Sequence, residues 1–335
     1  MIEITDSPDI KQWREFVYDH PQGNIFQTPE MAEVYKRTKN YEPISLAVVD
    51  DATNEMLAVL LAVVIKEKGV LGSFSARLVI HGGPLFINDD QGMDAMRILM
   101  GYYNKISRKK SLYTLVRNMY DTSEVLSIFN SMGYGYVEHL NFLLDLNLSV
   151  SDLWGQLYKS RRNGINRAKR RGVRIEAVVN EDGIRVMYGL LKETYTDAKL
   201  PFADISLLQS IFDVLKQKDM AKLYLAKKGS MDLGTIVLLT YKDTIFDWYA
   251  GAPRRYSRLC PNDILVWHAI EWGTKNGFCI FDFGGAGSPK EEYGVREFKK
   301  QFGGKLVNFG RYMKIHSPIK MKIAEKGFEV YRKIK

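Results

Sequence analysis

One order of β-periodic and α-periodic segments occurs twice along the chain, and this recurrence limits its possible folds more than any other feature. In the first pass "TPEMAEVYKR" reads as a helix, with Thr28 as N-cap and Pro29 at the first helical position, where a missing N–H costs nothing. The β-rich runs "ISLAVVD" (44–50) and "MLAVLLAVVIKEK" (56–68) follow, then "ARLVIHGGPLF" (76–86), a strand that stops at Gly82-Gly83-Pro84. The period then changes: "QGMDAMRILMGYYNKISRK" is helical, "SLYTLVRN" a strand, "TSEVLSIFNSMG" a helix closed by Gly133, and "YGYVEHLNFLLDL" a single long strand.

The second pass begins at "SVSDLW", where Ser149 and Asp152 have capping-box spacing, and "VRIEAVV" (173–179) is a strand after Gly172. Helices at 181–197 and 204–218 follow, the second entered through the break "LPFAD" with Asp204 as its cap. "AKLYLAKK", "DLGTIVLLTY" and "TIFDWYAGA" form an antiparallel meander, "PNDILVWHAIEWGTKNG" a helix with Gly277 past its end, and "FCIFDFGG" a strand. The halves share little sequence identity, so duplication is inferred from element order. At 335 residues the chain exceeds what one core usually serves. The expectation is an α/β protein of two domains, 1–148 and 149–316. A basic amphipathic helix, 317–335, would cover the domain seam through Ile319, Ile323, Phe328 and Tyr331.

Several classes are excluded or disfavoured. "MIEITDSPDIKQW" has acids where a secretory signal carries bases. The longest apolar run, "MLAVLLAVVI", falls short of a membrane span. Cys260 and Cys279 are the only cysteines, in no metal-ligand spacing, so neither a disulfide nor a metal is expected and a reducing cytoplasm fits. No nucleophile elbow, His-Glu-x-x-His, P-loop or G-x-G-x-x-G is present. The formal net charge of +9 points to anionic partners, including an acidic membrane face touched peripherally.

Most of that charge is concentrated in "KSRRNGINRAKRRGVR" (159–174), which holds eight Lys or Arg and no acid. On a helix starting near Ser160, Ile165 and Ala168 face inward, while Arg161, Arg162, Arg167, Lys169, Arg170 and Arg171 are available to phosphates. A solvated face is the bland alternative, but no acid stands at i±4 to neutralise the run. "YAGAPRRYSRLCPNDIL" joins strand to helix, and Tyr249, Tyr256 and Asn262 along it are candidate substrate contacts. Helix N–H groups there would suit a pyrophosphate, yet Cys260-Pro261 stands where a coenzyme-A-binding loop needs bare backbone. His81, at a strand end before the double glycine, is a substrate-contact candidate or a structural histidine. Asp247, Asp282, Glu291 and Glu292 are the acids nearest the glycine-rich stretch "FDFGGAGSPKEEYGVREFKKQFGG". Asp282 faces away from Phe281 and Phe283, as a general base or as a buried acid bonded to backbone N–H groups.

"WGQLYKSRRNGINRAKRRGVRIE", "YAGAPRRYSRLCPNDILVWHAIEWGTKNG", "FDFGGAG" and "GVREFKKQFGG", in this order, resemble the Fem family of non-ribosomal peptidyltransferases from about 150 to 315. In the first half "IFQTPEMAEVYKR" and "HGGPLF" are similar to the family more loosely: Met31 replaces an aromatic, and Lys36 lies one position beyond the family lysine. The family's helical arm has no counterpart here. The resemblance implies two tandem GNAT-like acyltransferase domains, each a mixed, mostly antiparallel sheet flanked by helices. It further implies an aminoacyl-tRNA co-substrate rather than a resident cofactor, and an amine of a peptide or cell-wall precursor as acceptor. On it Lys299 of "EFKKQF", with Lys300 its surface neighbour, matches the family lysine proposed to meet the oxyanion or the leaving ribose oxygen, and Lys36 and His81 fall to the acceptor side. Two alternatives stand: an acyl-coenzyme-A-dependent N-acyltransferase of the same fold, and a non-catalytic RNA-binding or envelope-assembly protein.

Overall fold

The computed structural model describes residues 2–66 and 75–324. The chain forms two compact units, one of Met1–Glu138 with Phe309–Lys335, the other of His139–Asn308.

In the first unit the main sheet runs β1 (Ile2–Thr5), β2 (Tyr41–Asp50), β3 (Met56–Ile65), β4 (Arg77–His81), β6 (Tyr113–Arg117), β15 (Arg311–Ile315) and β7 (Gly135–Val137), with the short β5 (Leu85–Phe86) on β3. Every neighbouring pair is antiparallel except β4 and β6. Helices α1 (Ile10–Asp19), α2 (Pro29–Arg37), α3 (Asp90–Lys110) and α4 (Leu126–Ser131) flank it. The predicted cap of α2 is present: the Thr28 hydroxyl accepts from the Met31 N–H, and Pro29 opens the helix. Strand β3 is buried almost throughout, and α3 lays Met96, Leu99, Met100 and Tyr103 into the same core.

The second sheet runs β9 (Arg174–Ala177), β10 (Ala221–Lys228), β11 (Met231–Tyr241), β12 (Thr244–Gly251), β13 (Ile280–Gly285), β8 (Leu140–Asp145) and β14 (Lys305–Asn308). Again one pair is parallel, β12 with β13. Helices α5 (Val150–Gln156), α6 (Lys159–Arg170), α7 (Glu181–Asp197), α8 (Ser206–Ser210), α9 (Pro261–Lys275) and α10 (Gly294–Lys300) flank it. The core collects Leu144, Ile165, Ala168, Leu238, Leu265, Phe281 and Phe302.

The two sheets share one plan: an antiparallel run of four strands, a parallel step, then two antiparallel strands. Their sixth strands are exchanged in sequence. β8 follows the first half of the chain but pairs with β13 and β14, and β15 follows the second half but pairs with β6 and β7. The segment expected as one strand, "YGYVEHLNFLLDL", is therefore two strands in two sheets. The Asn308 carboxamide takes the His139 N–H at 3.0 Å, where a ladder partner would otherwise be needed. The boundary accordingly falls at 138/139 rather than the expected 148/149, and the second unit ends at 308 rather than 316. The expected helix 204–218 is α8 followed by a wider turn, Ile211–Leu215, and a tighter one, Lys216–Lys218. Strands β1, β14 and β15 and helix α1 carried no sequence assignment. Of the C-terminal helix, 318–324 is helical and exposes Ile319 and Ile323, while Phe328 and Tyr331 lie outside the described residues.

Candidate active site

The parallel ladder between β12 and β13 lasts three residues, from Thr244 opposite Ile280 to Phe246 opposite Asp282, although both strands continue. Each strand changes register on its other edge at the same level. On the β11 side Trp248 is the extra residue between the pairs Leu238–Asp247 and Val237–Tyr249, and on the β8 side the shift falls between Asp282 and Gly285. Two bulges re-aim the strands where the ladder ends. Gly284 sits there with φ +68, and a Cβ on it would stand 3.1 Å from the Asp247 carbonyl oxygen, so glycine answers both the left-handed backbone and the close approach.

Into this strand exit α10 inserts Lys299. Its ammonium donates to the carbonyl oxygens of Phe283, Gly284 (3.4 Å) and Gly285 (3.0 Å). Two carboxylates face it electrostatically, Asp247 on β12 and Asp282 on β13. Asp282 is 3% exposed and accepts from the Asn141 carboxamide at 2.7 Å and from the Gly284 N–H at 2.7 Å. Asp282 is thus buried and bonded to a backbone N–H, and its bonds hold the turn that presents the three carbonyls.

Burial dominates the titration of all three groups. It pushes the Asp247 carboxyl up to about 6, against the pull of Lys299 and with the help of Asp282. It also raises Asp282, opposed by its bonds to Asn141 and Gly284, and lowers Lys299, opposed by the two carboxylates. Asp247 is therefore poised near neutrality as a proton acceptor beside a cation. Sequence reasoning noted Asp247 only as a nearby acid. The available signal was an acid inside an aromatic run, "IFDWY", just as Asp282 stands inside "IFDF".

The basic run folds as α6, with Ile165 and Ala168 fully buried as its periodicity predicted. Its cations differ in role. Arg167, Lys169 and Arg170 are exposed, Lys169 with its ammonium 5.8 Å from the Trp154 ring. Arg162 donates to the Gly155 carbonyl at 3.0 Å, and Arg171 to that of Arg258 at 2.7 Å. Arg161 is engaged inside the unit, bonded to Asp263 at 2.9 Å and stacked 4.9 Å from the Phe298 ring centroid.

Asp263 lies in the first turn of α9, where free N–H groups and the helix dipole favour an anion. Its own carboxylate meets that need, with Arg161 as counter-ion. Gly164 on α6 admits it, because a Cβ there would come within 2.2 Å of Oδ1. Before α9 the chain makes a tight turn, Arg254–Leu259, and a left-handed Cys260 (φ 54).

The remaining candidates are dispersed. Tyr249 belongs to a half-buried aromatic group with Tyr195, Phe202 and Trp248. Tyr256 lies under the Arg255 guanidinium, and Asn262 at the start of α9 has a buried, unpartnered carboxamide oxygen. In the first unit His81 stacks on Phe26, and burial lowers its pKa, so it is neutral. Lys36 is exposed in the last turn of α2. Among the described residues no cluster of His, Cys, Asp or Glu is arranged to hold a metal ion, and no helix is long and apolar enough to cross a membrane.

Residues 157–300 match the GNAT acetyltransferase domain family. A comparison with curated protein sequences gives no significant match. Among solved structures the chain is similar to FemX, at 16% identity over 96% of this chain and 100% of that one, with a TM-score of 0.71. It is similar to L-PGS from Bacillus licheniformis (15% identity, 96% and 98% covered, TM-score 0.60). It is also similar to a tandem GNAT protein from the clavulanic acid biosynthesis pathway (10% identity, 95% and 99% covered, TM-score 0.60). Residues 157–300 thus match a GNAT domain, and the chain as a whole has a fold of two GNAT-like units, similar to those of FemX and the tandem GNAT protein.

Proposed function

We propose that the chain transfers an aminoacyl group from aminoacyl-tRNA to a primary amine of a peptide or cell-wall precursor. The observation that carries the donor assignment is the Asp263 carboxylate in the first turn of α9. A coenzyme A pyrophosphate docked there would meet a carboxylate, whereas α6, packed against it, offers Arg167, Lys169 and Arg170 to a polyphosphate backbone. Phosphate contacts of this kind give affinity rather than sequence discrimination.

The acceptor amine attacks the ester carbonyl carbon, so a C–N bond forms as the C–O bond to the terminal ribose breaks. Asp247 takes the amine proton and returns it to the ribose oxygen, which leaves as a hydroxyl. Lys299 supplies the positive charge that the tetrahedral oxyanion requires. Its three protons face three carbonyls, and the 3.4 Å bond to Gly284 is the one most readily exchanged for the oxyanion. Bringing donor and acceptor together at the strand exit supplies much of the remaining acceleration.

The GNAT acetyltransferase match favours a second reading, acyl transfer from coenzyme A on the same Asp247–Lys299 pair. Thermal shift separates the two, since a ligand binding only the native state raises its melting temperature. Aminoacyl-tRNA is expected to do so, and stabilisation by acetyl-coenzyme A alone would favour the second reading.

A further inference from the structure

Helix α6 is fastened to α10 and α9 at several points within the second unit. The Tyr158 N–H at its N-terminus donates to the Gln301 carbonyl at 3.0 Å, directly after α10, and the Ser160 hydroxyl donates to the Gln301 carboxamide oxygen at 2.6 Å. One residue on, Arg161 stacks its guanidinium on Phe298, the immediate neighbour of Lys299, and Phe298 packs edge-on against Phe302 at 5.2 Å. The same guanidinium is bonded to Asp263 on α9, and Gly164 seats α6 against that carboxylate. Arg161 is 20% exposed and Asp263 12%, so this is an interior tie. Arg167, Lys169 and Arg170 are exposed by contrast.

We propose that Arg161 is a positioning residue: through its stacking on Phe298, and with the Ser160–Gln301 bond, it fixes α10 so that Lys299 is held at the carbonyls of Phe283 and Gly285. The basic helix thereby divides its labour. Its outer cations receive phosphate, and its first turn sets the reaction's lysine. The assignment rests on the aminoacyl-transfer reading only for the meaning of the outer cations, because the tie between Arg161 and Lys299 is independent of the donor.

Arg161→Lys keeps a charge for Asp263 but removes the planar stack. Ser160→Ala, at an exposed position, removes the second tie with little risk to folding. Two measurements follow. The first needs no substrate: the rate at which Lys299 reacts with a small amine-acylating reagent, read by peptide mass spectrometry, with Lys275 as internal reference. Both variants are expected to raise Lys299 labelling several-fold over Lys275, and the double variant to rise by less than the product of the two.

The second is transfer from aminoacyl-tRNA. Arg161→Lys is expected to lower kcat on the order of 10–100-fold, the scale of a reacting group displaced by about 1 Å. It should leave the tRNA Kd and its salt slope unchanged, whereas Arg170→Ala weakens binding and lowers the slope by about one phosphate. Unchanged Lys299 labelling in both variants overturns the proposal. So does loss of tRNA affinity and salt slope in Arg161→Lys equal to that of Arg170→Ala, which would make Arg161 a phosphate contact. If tRNA does not bind the wild type while labelling responds as expected, the donor assignment fails and the positioning role stands.

Discussion

Gly164 of α6 and Asp263 of α9 meet so closely that a single added Cβ would lie 2.2 Å from the carboxylate oxygen. The contact seats the basic helix, and it places a negative charge at the helix N-terminus where a phosphate-binding site would otherwise form. Gly164→Ala must displace a carboxylate already bonded to Arg161. A cost of about 1–3 kcal/mol is expected from overpacking, which at about 2–4 °C per kcal/mol in a domain of this size lowers Tm measurably by calorimetry. An unchanged Tm would show that α6 can lift away freely.

Lys299→Met removes the cation that faces Asp247 and Asp282 and leaves three carbonyls without their donor. Transfer is expected to fall about 100–1,000-fold, as when a stabilising donor is lost from an oxyanion site, with far-UV circular dichroism unchanged. Wild-type kcat in this variant would remove Lys299 from the chemistry.

Asp247 gives the reaction a pH signature. Below about 6 its carboxyl is protonated and cannot take the proton of the attacking amine, so kcat/KM is expected to fall tenfold per pH unit on the acid side. Asp247→Asn should abolish this limb along with most of the activity. Stability carries the opposite sign. The folded-state value is raised above that of an ordinary carboxylate, so the stabilisation is complete below the ordinary range and is lost as pH rises through about 6. Urea titrations of wild type and Asp247→Asn across pH 4–8 measure this, and parallel curves would show that Asp247 is not buried enough to matter.

The strand exchange predicts an asymmetric response to truncation. A chain ending at Asn308 lacks β15, and with it Tyr312, which stacks on Phe129 at 4.2 Å and bonds Thr122. Strands β6 and β7 then lose their shared neighbour, so the first unit should lose its cooperative melting although its own segment 1–138 is intact. The segment 139–308 holds its whole sheet and should melt cooperatively alone. Unaltered melting of the first unit without β15 would contradict the topology.

Much of this was legible locally. Thr28 and Pro29, Ser149 and Asp152, Gly133 and Gly82–Gly83 announce element ends through capping and left-handed backbone, and the inward stripe Ile165–Ala168 follows from helical period alone. Lys299 was found through the resemblance and the glycines before it. What escaped depends on partners distant in sequence. "KLVN" and "RYMKI" are too short to read as strands without knowing what they pair with, and the join between β7 and β8 has a continuous extended pattern on both sides. Asp247 looked like any acid on a strand, because only the bulge at Trp248 and the end of the β12–β13 ladder bring it towards Lys299. Arg161 read as one cation among eight, since no periodicity distinguishes a guanidinium bonded to Asp263 from its exposed neighbours.

The donor assignment is tested most directly by equilibrium binding of aminoacyl-tRNA between 50 and 200 mM salt, measured beside acetyl-coenzyme A. Contacts from Arg167, Lys169 and Arg170 predict a log–log salt slope of about −2 to −3, reduced by roughly one in each single alanine variant. Salt-insensitive or absent tRNA binding, together with saturable binding of acetyl-coenzyme A, would contradict the account.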